Sequence, residues 1–312
     1  MIKILFFGLG SIGQRHVRVL KKILINKKVN LYCLKTSKKN YVIDDNLKTS
    51  KKNIFKFYKI KKLTKKQILS KSFDYVFITN EISKHVPTLL KYQGCSKNFF
   101  IEKPISSDIS KIKQIRKINN RRLNIYIGYQ LRFHPGIKII KKYLENNKLG
   151  KLISGNFNFG EFLPMMHRYE DYSKTHMALK NLGGGVISCL SHEIDLILYL
   201  IGKPKKITSF VSKSSNLKIN VEDNVKAIFS YSPSLRLSLN MDFLTYPPQH
   251  FIILNFEKGT LNWNYFSKKL TIYENKIKKK YTYDFRKFNR NIMFEQQIKE
   301  FLNLKPNIIC KF

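Results

Sequence analysis

The chain has 312 residues, which is long enough for two domains that each bury a hydrophobic core. Its formal net charge of +39 comes mainly from lysines spread over every segment. Such a charge is typical of nucleic-acid binders, but these lysines form no single stripe and match no nucleic-acid motif. We therefore interpret the charge as a solvated basic surface and expect no specific nucleic-acid partner.

Cysteine spacing and hydropathy indicate whether the chain is a metal-binding, disulfide-bonded or membrane-spanning protein. The four cysteines lie far apart and form no Cys-x-x-Cys pair, so we expect neither a metal site nor a disulfide framework, and a cytoplasmic location. No run of about 18 apolar residues occurs, which predicts that no segment spans a membrane.

The first recognisable motif lies at the start of the chain. An apolar segment, Ile4–Phe7, leads directly into Gly8-Leu9-Gly10-Ser11-Ile12-Gly13. This pattern predicts a strand, a tight turn and a helix that begins at Ser11, an arrangement that binds the pyrophosphate of a dinucleotide at the helix N-terminus. A glycine-rich turn with a purely structural role is the alternative.

The end of the second predicted strand, 29–34, bears on the choice of cofactor. It lies about twenty residues beyond the glycine loop, where an acidic residue commonly holds the adenosine ribose of NAD. This chain has Lys35, Thr36 and Ser37 there. Cations and hydroxyls suit a 2'-phosphate, so the sequence slightly favours NADP over NAD, while a solvated loop is the alternative.

Short apolar segments alternate with helical ones over the first 125 residues. Strands are predicted at 54–58, 75–78, 99–101 and 124–127, and helices at 65–69 and 108–119. This alternation predicts a doubly wound parallel sheet, and hence a Rossmann dinucleotide-binding domain over 1–125. Ligands bind beyond the carboxyl ends of such strands. The candidate cofactor contacts, besides the glycine loop, are therefore Thr79, Asn80, His85, Glu102 and Lys103.

The pattern changes after Pro135. A helix is predicted over 136–146, and period-two alternation in 156–159, 235–241, 261–265 and 281–283 predicts antiparallel strands. We therefore expect a second, α+β domain over 126–312 with a large, open, mostly antiparallel sheet. Its uncovered face is a candidate surface for self-association.

A second constellation follows the triple glycine at 183–185. The sequence predicts one largely buried helix from there to Ile201, on which Cys189, His192 and Asp195 share a face. His192 could shuttle a proton to a substrate, or it could be a packed core histidine. This segment alone leaves both interpretations open.

Four motifs together carry a family resemblance. In chain order they are the glycine loop, Glu102-Lys103-Pro104, Gly128-Tyr129-Gln130-Leu131-Arg132-Phe133-His134-Pro135, and the triple-glycine helix with His192. From its first strand to about residue 300, the chain strongly resembles the Gfo/Idh/MocA family of NAD(P)-dependent oxidoreductases. It is most similar to the branch of surface-polysaccharide and sugar-modification enzymes.

The resemblance implies a substrate, a pair of catalytic residues and an assembly. Lys103 would lie beside the nicotinamide and the reacting carbinol, and His192 would be the acid/base, although the reverse assignment stays open. The substrate would be a sugar, nucleotide sugar or cyclitol, and the open sheet would build a homodimer or homotetramer. Candidate substrate contacts, each of which could equally be a surface or packing residue, are Tyr129, Arg132, His134, His167, Arg168, Tyr169, Tyr172 and Cys189.

The chain departs from the family pattern in two places. Relatives carry an aspartate one turn before the histidine, where this chain has Cys189, or Ser188 if four residues are counted. The sequence also stops at Phe312, where relatives usually continue into a further helix, and we interpret this as a shortened or decayed copy. The missing aspartate motivates a second hypothesis, a cofactor-binding sensor or degenerate paralogue without turnover.

Overall fold

The computed structural model describes residues 1–34, 40–118, 123–275 and 277–303. The chain forms two compact units. The first contains Met1–Tyr129, the short segment Asn181–Gly184 and residues 294–303. The second contains Gln130–Lys180 and Gly185–Met293.

The first unit is built on a six-stranded sheet in which every neighbouring pair is parallel. Its strand order is β5-β2-β1-β6-β7-β8, so the predicted doubly wound sheet is confirmed. The order reverses between β1 and β6, which is where open α/β sheets bind ligands. A short hairpin of β3 and β4 lies apart from this sheet. The strands are Ile2–Phe7 (β1), Val29–Leu34 (β2), Val42–Ile43 (β3), Thr49–Ser50 (β4), Ile60–Lys62 (β5), Tyr75–Ile78 (β6), Asn98–Glu102 (β7) and Asn124–Gly128 (β8).

One element of this unit differs from the sequence prediction. Residues 54–58, predicted as a strand, form a helix. The side chain of Asn53 accepts hydrogen bonds from the backbone N–H groups of Phe55 and Lys56, and this N-cap starts the helix. The third strand of the sheet is therefore β5. The helices are Ser11–Ile23 (α1), Ile54–Tyr58 (α2), Lys65–Leu69 (α3), His85–Tyr92 (α4) and Ile109–Ile118 (α5).

The second unit is built on an eight-stranded sheet of order β10-β11-β12-β9-β13-β14-β15-β16. Only the pair β9–β12 is parallel, so the predicted mostly antiparallel sheet is confirmed. The strands are Leu152–Gly160 (β9), Lys206–Ser212 (β10), Asn224–Ser230 (β11), Arg236–Asp242 (β12), Gln249–Phe256 (β13), Gly259–Asn264 (β14), Lys269–Glu274 (β15) and Lys279–Asp284 (β16).

The helix predicted after the triple glycine is two helices. An N–H···O bond from Glu193 to Leu190, one residue shorter than an α-helical bond, marks the break between them. Cys189 ends the first helix and His192 begins the second, so the expectation of one continuous face is wrong. The remaining helices of the chain are Pro135–Glu145 (α6), Leu163–Met166 (α7), Val186–Cys189 (α8), His192–Leu200 (α9) and Asn291–Asn303 (α10).

Each unit has its own hydrophobic core. In the first, the rings of Phe6, Phe77 and Phe100 stack across three neighbouring strands with centroids 5.0 Å apart. Phe301 of α10 packs edge-on against this stack, so α10 belongs to the core of the first unit. In the second, the core lies between one face of the sheet and helices that include α6 and α9. Within the described ranges, no helix is long and apolar enough to cross a membrane.

Candidate functional site

The glycine loop of the first unit is fixed by close backbone contacts. Gly8 has a φ of +104°, and a Cβ at this position would lie 2.7 Å from the carbonyl oxygen of Thr79. A Cβ at Gly13 would lie 2.6 Å from the carbonyl oxygen of Gly8. A Cβ at Gly10, by contrast, would meet no described atom within 4 Å. Two of the glycines are therefore required by packing, and Gly10 leaves open space in front of α1.

The N-terminus of α1 faces this open space without a cap. Gly10 is the N-cap residue, and no side chain in the described part of the chain caps this end. The first helical bond runs from Gln14 N–H to the Gly10 carbonyl oxygen, so the N–H groups of Ser11 and Ile12 have no intrahelical acceptor. Such N–H groups and the helix dipole favour an anion. These residues therefore fit the pyrophosphate of a dinucleotide.

Thr79 and Asn80 follow β6, beside the glycine loop. The buried hydroxyl of Thr79 donates to the Gly8 carbonyl oxygen at 2.8 Å, which holds the turn in place. The Asn80 side-chain amide donates to the Thr88 hydroxyl at 3.0 Å. The structure therefore brings these two predicted cofactor contacts together with Gly8 at one edge of the sheet.

His85, also a predicted cofactor contact, is buried, with 1% of its surface exposed. Its Nδ1 lies 2.9 Å from the Pro104 carbonyl oxygen and its Nε2 lies 3.1 Å from the Asn80 carbonyl oxygen. Burial lowers the pKa of His85, and these two carbonyl oxygens oppose that shift. The imidazole therefore ties the segment after β6 to the segment after β7.

Glu102 and Lys103 lie at the carboxyl end of β7. Glu102 Oε1 lies 2.5 Å from Nε2 of the buried His16 on α1, and Glu102 Oε2 accepts a hydrogen bond from the Lys103 backbone N–H at 3.2 Å. Both carboxylate oxygens are thus engaged within the protein. This pair fixes the backbone that carries Lys103 to the helix of the glycine loop. Sequence analysis did not single out His16, whose only signal is its place one turn after Gly13.

A cleft of about 220 Å³ opens at the carboxyl end of β2. Gly8, Leu34 and Asn80 line it, together with three lysines that sequence analysis did not single out, Lys65, Lys84 and Lys91. The predicted cofactor contacts Lys35, Thr36 and Ser37 lie outside the described residues.

The second unit concentrates buried polar side chains in the first turn of α9. Nε2 of His192, its first residue, lies 3.1 Å from the amide Nε2 of Gln130. Glu193 is fully buried, and its Oε1 lies 2.6 Å from Nε2 of the buried His250 on β13. These contacts attach the start of α9 to the 3₁₀ turn Gln130–Phe133 and to the sheet.

Asp195 completes this turn of α9 and holds Arg132. The Arg132 guanidinium binds both carboxylate oxygens of Asp195, with its Nε 2.9 Å from Oδ2, and it lies over the ring of Tyr199. Burial raises the pKa of the Asp195 carboxyl group, and the guanidinium opposes this rise. Arg132, a predicted substrate contact, keeps 42% of its side chain exposed.

His134, another predicted substrate contact, caps a helix. Its Nδ1 accepts a hydrogen bond from the Gly136 backbone N–H at the start of α6. Burial lowers the pKa of His134 to about 4, so the ring is neutral at neutral pH and its lone pair is available for this bond. Four aromatic rings surround it, those of Trp263, Tyr265, Phe285 and Phe288.

The remaining predicted substrate contacts belong to separate segments of the chain. Tyr129 is the last residue of the first unit's main segment. Tyr169 packs its ring against His167, and the Tyr172 hydroxyl accepts a hydrogen bond from the Lys218 backbone N–H at 3.2 Å. Cys189 is buried at the end of α8.

Two segments of the chain match models of known protein families. Residues 2–129 match the model described as oxidoreductase family, NAD-binding Rossmann fold, and residues 137–262 match the GFO/IDH/MocA C-terminal domain. The two matches cover well over half of the sequence. The chain belongs to the Gfo/Idh/MocA family of oxidoreductases, as its four motifs predicted.

Individual relatives are distant. The NAD⁺-dependent scyllo-inositol 2-dehydrogenase of Bacillus subtilis is 22% identical over 204 residues, which is 62% of this chain and 52% of that enzyme. The chain thus spans about half the length of the curated relatives that it matches. Two similar structures are the WlbA dehydrogenase of Chromobacterium violaceum with NADH and UDP-GlcNAcA (TM-score 0.70, 18% identity, 85% of this chain and 74% of that one) and levoglucosan dehydrogenase with NADH and levoglucosan (0.79, 12%, 96% and 89%).

The Glu193–His250 pair yields a stability prediction. Removing one partner leaves the other polar group buried and unpaired, so we expect Glu193→Leu or His250→Leu to lower the free energy of unfolding by about 3 to 5 kcal/mol. The double variant should lose much less than the sum of the two single losses. Urea unfolding followed by fluorescence of Trp263, the single tryptophan and a neighbour of His250, measures all three.

The exposed pair Arg286–Asp284 in the same unit is the control. Asp284→Leu should change the free energy of unfolding by less than about 1 kcal/mol. Additive losses in the Glu193 and His250 variants would show that the pair does not anchor α9.

Proposed function

We propose that the protein is an NAD(P)-dependent oxidoreductase that interconverts a ring hydroxyl and a ketone of a sugar, nucleotide sugar or cyclitol. The observation that carries this proposal is the glycine loop, where Gly10 leaves open space at the uncapped N-terminus of α1. Family membership supplies the reaction class. The dinucleotide, when bound, accepts or supplies the hydride.

In this proposal the protein provides charge stabilisation and proton transfer. Hydride leaves a carbinol carbon readily only if the hydroxyl proton also leaves. We assign proton transfer to the His192 imidazole, because histidine is the side chain most often used as a general acid or base. We assign stabilisation of the reacting oxygen to the Lys103 ammonium group, which follows β7 at the ligand-binding edge of the first sheet. Glu102 and His16 hold the Lys103 backbone in place.

These roles predict different losses for two variants. Lys103→Met should abolish turnover and leave cofactor binding nearly intact, because the ammonium stabilises charge on the substrate. His192→Asn should lower kcat by about 10² to 10⁴, the usual contribution of a positioned acid/base. Steady-state kinetics with a panel of cyclitols, free sugars and nucleotide sugars, alongside fluorescence titration with the cofactor, measures both effects.

The control variant lies at the other end of the same strand. Lys97 is exposed just before β7, so Lys97→Met should keep full activity. A Lys103→Met protein that turns over the substrate as fast as the parent would contradict the assignment.

A second candidate function is cofactor binding without turnover, as in a sensor. The observation that favours it is the pair Ser188 and Cys189, which take the place of the family aspartate and supply no carboxylate. The carboxylates of the next helical turn, Glu193 and Asp195, are paired with His250 and Arg132. Cofactor binding together with no turnover on the whole substrate panel would favour the sensor. Cys189→Asp, which restores a carboxylate, should raise the rate or leave it unchanged in an active enzyme.

We further propose that the substrate is a building block of a surface polysaccharide. Support comes from the resemblance to the polysaccharide branch of the family and from the WlbA structure, which contains UDP-GlcNAcA. The curated relatives instead include inositol dehydrogenases. The nucleotide-sugar and cyclitol arms of the panel separate the two substrate classes.

We propose that NADP is bound at least as tightly as NAD. In Rossmann domains the adenosine ribose lies beyond the end of the second strand. Among the described residues, the cleft at the end of β2 is lined by Lys65, Lys84 and Lys91 and by no acidic side chain. Lys84 Nζ lies 3.1 Å from Glu81 Oε2, so Lys65 and Lys91 are the cations that we expect to favour the additional phosphate of NADP.

Titration with both reduced cofactors tests this preference. NADPH should bind at least as tightly as NADH, and Lys91→Gln should weaken NADPH binding by about two- to fivefold more than NADH binding. Lys71→Gln, at an exposed lysine that does not line the cleft, is the control. A clear preference for NADH in the parent protein would contradict the proposal.

We also propose that the uncovered face of the second sheet joins copies of the chain into a homodimer or homotetramer. In a chain with 59 Lys and Arg residues, like copies repel one another. At the centre of this face, however, the register aligns two rows of uncharged side chains across β12, β9, β13 and β14. These rows are Ser238–Asn156–Ile253–Asn262 and Asn240–Asn158–Phe251–Asn264. A two-fold axis could pair this uncharged area with itself.

Charges placed in these rows should separate the copies. Asn156→Lys combined with Ile253→Lys should weaken self-association by about tenfold or more, because like charges would meet across the contact. Ile207→Lys, on the exposed edge strand β10, should have no effect. Sedimentation velocity measures the assembly, and a parent protein that stays monomeric at high concentration would refute the proposal.

A further inference from the structure

The contact between Gln130 and His192 determines which ring nitrogen of His192 carries a hydrogen. Both residues are buried, each with 7% of its surface exposed. The two atoms that meet, at 3.1 Å, are the amide Nε2 of Gln130 and the ring Nε2 of His192. An amide nitrogen donates and does not accept. The ring Nε2 is therefore the acceptor, and a neutral His192 carries its hydrogen on Nδ1.

A glutamine can reverse this assignment without moving its backbone. Its amide has a donor end and an acceptor end of nearly the same shape. If the side chain turns by about 180°, Oε1 meets the ring and favours the tautomer with hydrogen on Nε2. The orientation of one amide thus selects which ring nitrogen has the lone pair, and in the orientation of this structure that lone pair accepts the Gln130 N–H.

The surrounding contacts keep the two residues in register. Gln130 begins the 3₁₀ turn that also carries Arg132, and His192 begins the helical turn that also carries Asp195. The bidentate pair Arg132–Asp195 therefore fixes the same turn to the same helix a few residues away. This pair would hold the two backbones at a constant distance if the Gln130 amide turned.

We propose that Gln130 is a positioning residue that selects the tautomer of His192. In the orientation of this structure the lone pair of the neutral ring lies on Nε2. With the amide turned, the ring proton leaves Nδ1 through solvent exchange and a proton is bound at Nε2, so the lone pair lies on Nδ1. The catalytic meaning of this selection rests on the proposed acid/base role of His192. The tautomer itself does not depend on that role and can be measured without turnover.

Nitrogen-15 NMR of the histidine rings tests the proposal on the full chain. At about pH 8.5, well above the ordinary histidine pKa, long-range ¹H–¹⁵N spectra distinguish the two tautomers, and His192→Asn identifies the His192 signals. The parent protein should show the Nδ1–H form. Gln130→Glu, which has only acceptors, should convert His192 to the Nε2–H form, and Gln130→Asn keeps both amide ends as a conservative second variant.

Gln249→Glu, on the exposed start of β13, is the matched control and should leave the His192 signals unchanged. An Nε2–H tautomer in the parent, or the same tautomer in the parent and in a folded Gln130→Glu protein, would overturn the proposal. If His192 shows the Nδ1–H form in the parent and the Nε2–H form in Gln130→Glu, but the parent turns over no substrate, the result would count against the proposed enzymatic function alone.

Discussion

The first turn of α9 is the constraint on which the second unit depends. Three of its residues, His192, Glu193 and Asp195, bury polar side chains that would be unfavourable without partners. Each partner lies outside α9, so these contacts attach the turn to two other elements of the unit. Two partners come from the turn that starts at Gln130, and the third is His250 on β13. The imidazole of His192 is thereby presented with a defined orientation.

The first unit uses the same physical device at a different place. His16 on α1 and Glu102 at the end of β7 form a buried pair, and His85 joins the segments that follow β6 and β7. These contacts connect the helix of the glycine loop with the strand ends that carry Asn80 and Lys103. Buried polar side chains therefore set the geometry at this edge of the first sheet, and the stack of Phe6, Phe77 and Phe100 supplies the apolar core of the unit.

Short-range features of this molecule were predictable from the sequence. The glycine loop, the alternating strands and helices and the period-two segments all arise from neighbours within a few residues. The partners of the site residues were not predictable from the sequence. The pairs Gln130–His192, Glu193–His250 and His16–Glu102 are separated by 62, 57 and 86 residues. No periodicity links such positions. The strand prediction for 54–58 was wrong for a local reason. A five-residue segment with four apolar or aromatic side chains suits either a strand or a helix, and the Asn53 cap decides between them.

The central claim is that the glycine loop and the end of β7 hold a nicotinamide dinucleotide. A crystal structure of the protein soaked with NADPH tests this claim most directly. We predict density for the pyrophosphate at the N–H groups of Ser11 and Ile12, and density for the nicotinamide beside Lys103. A glycine loop without cofactor density at saturating NADPH and NADH, or a cofactor bound elsewhere on the protein, would contradict the account.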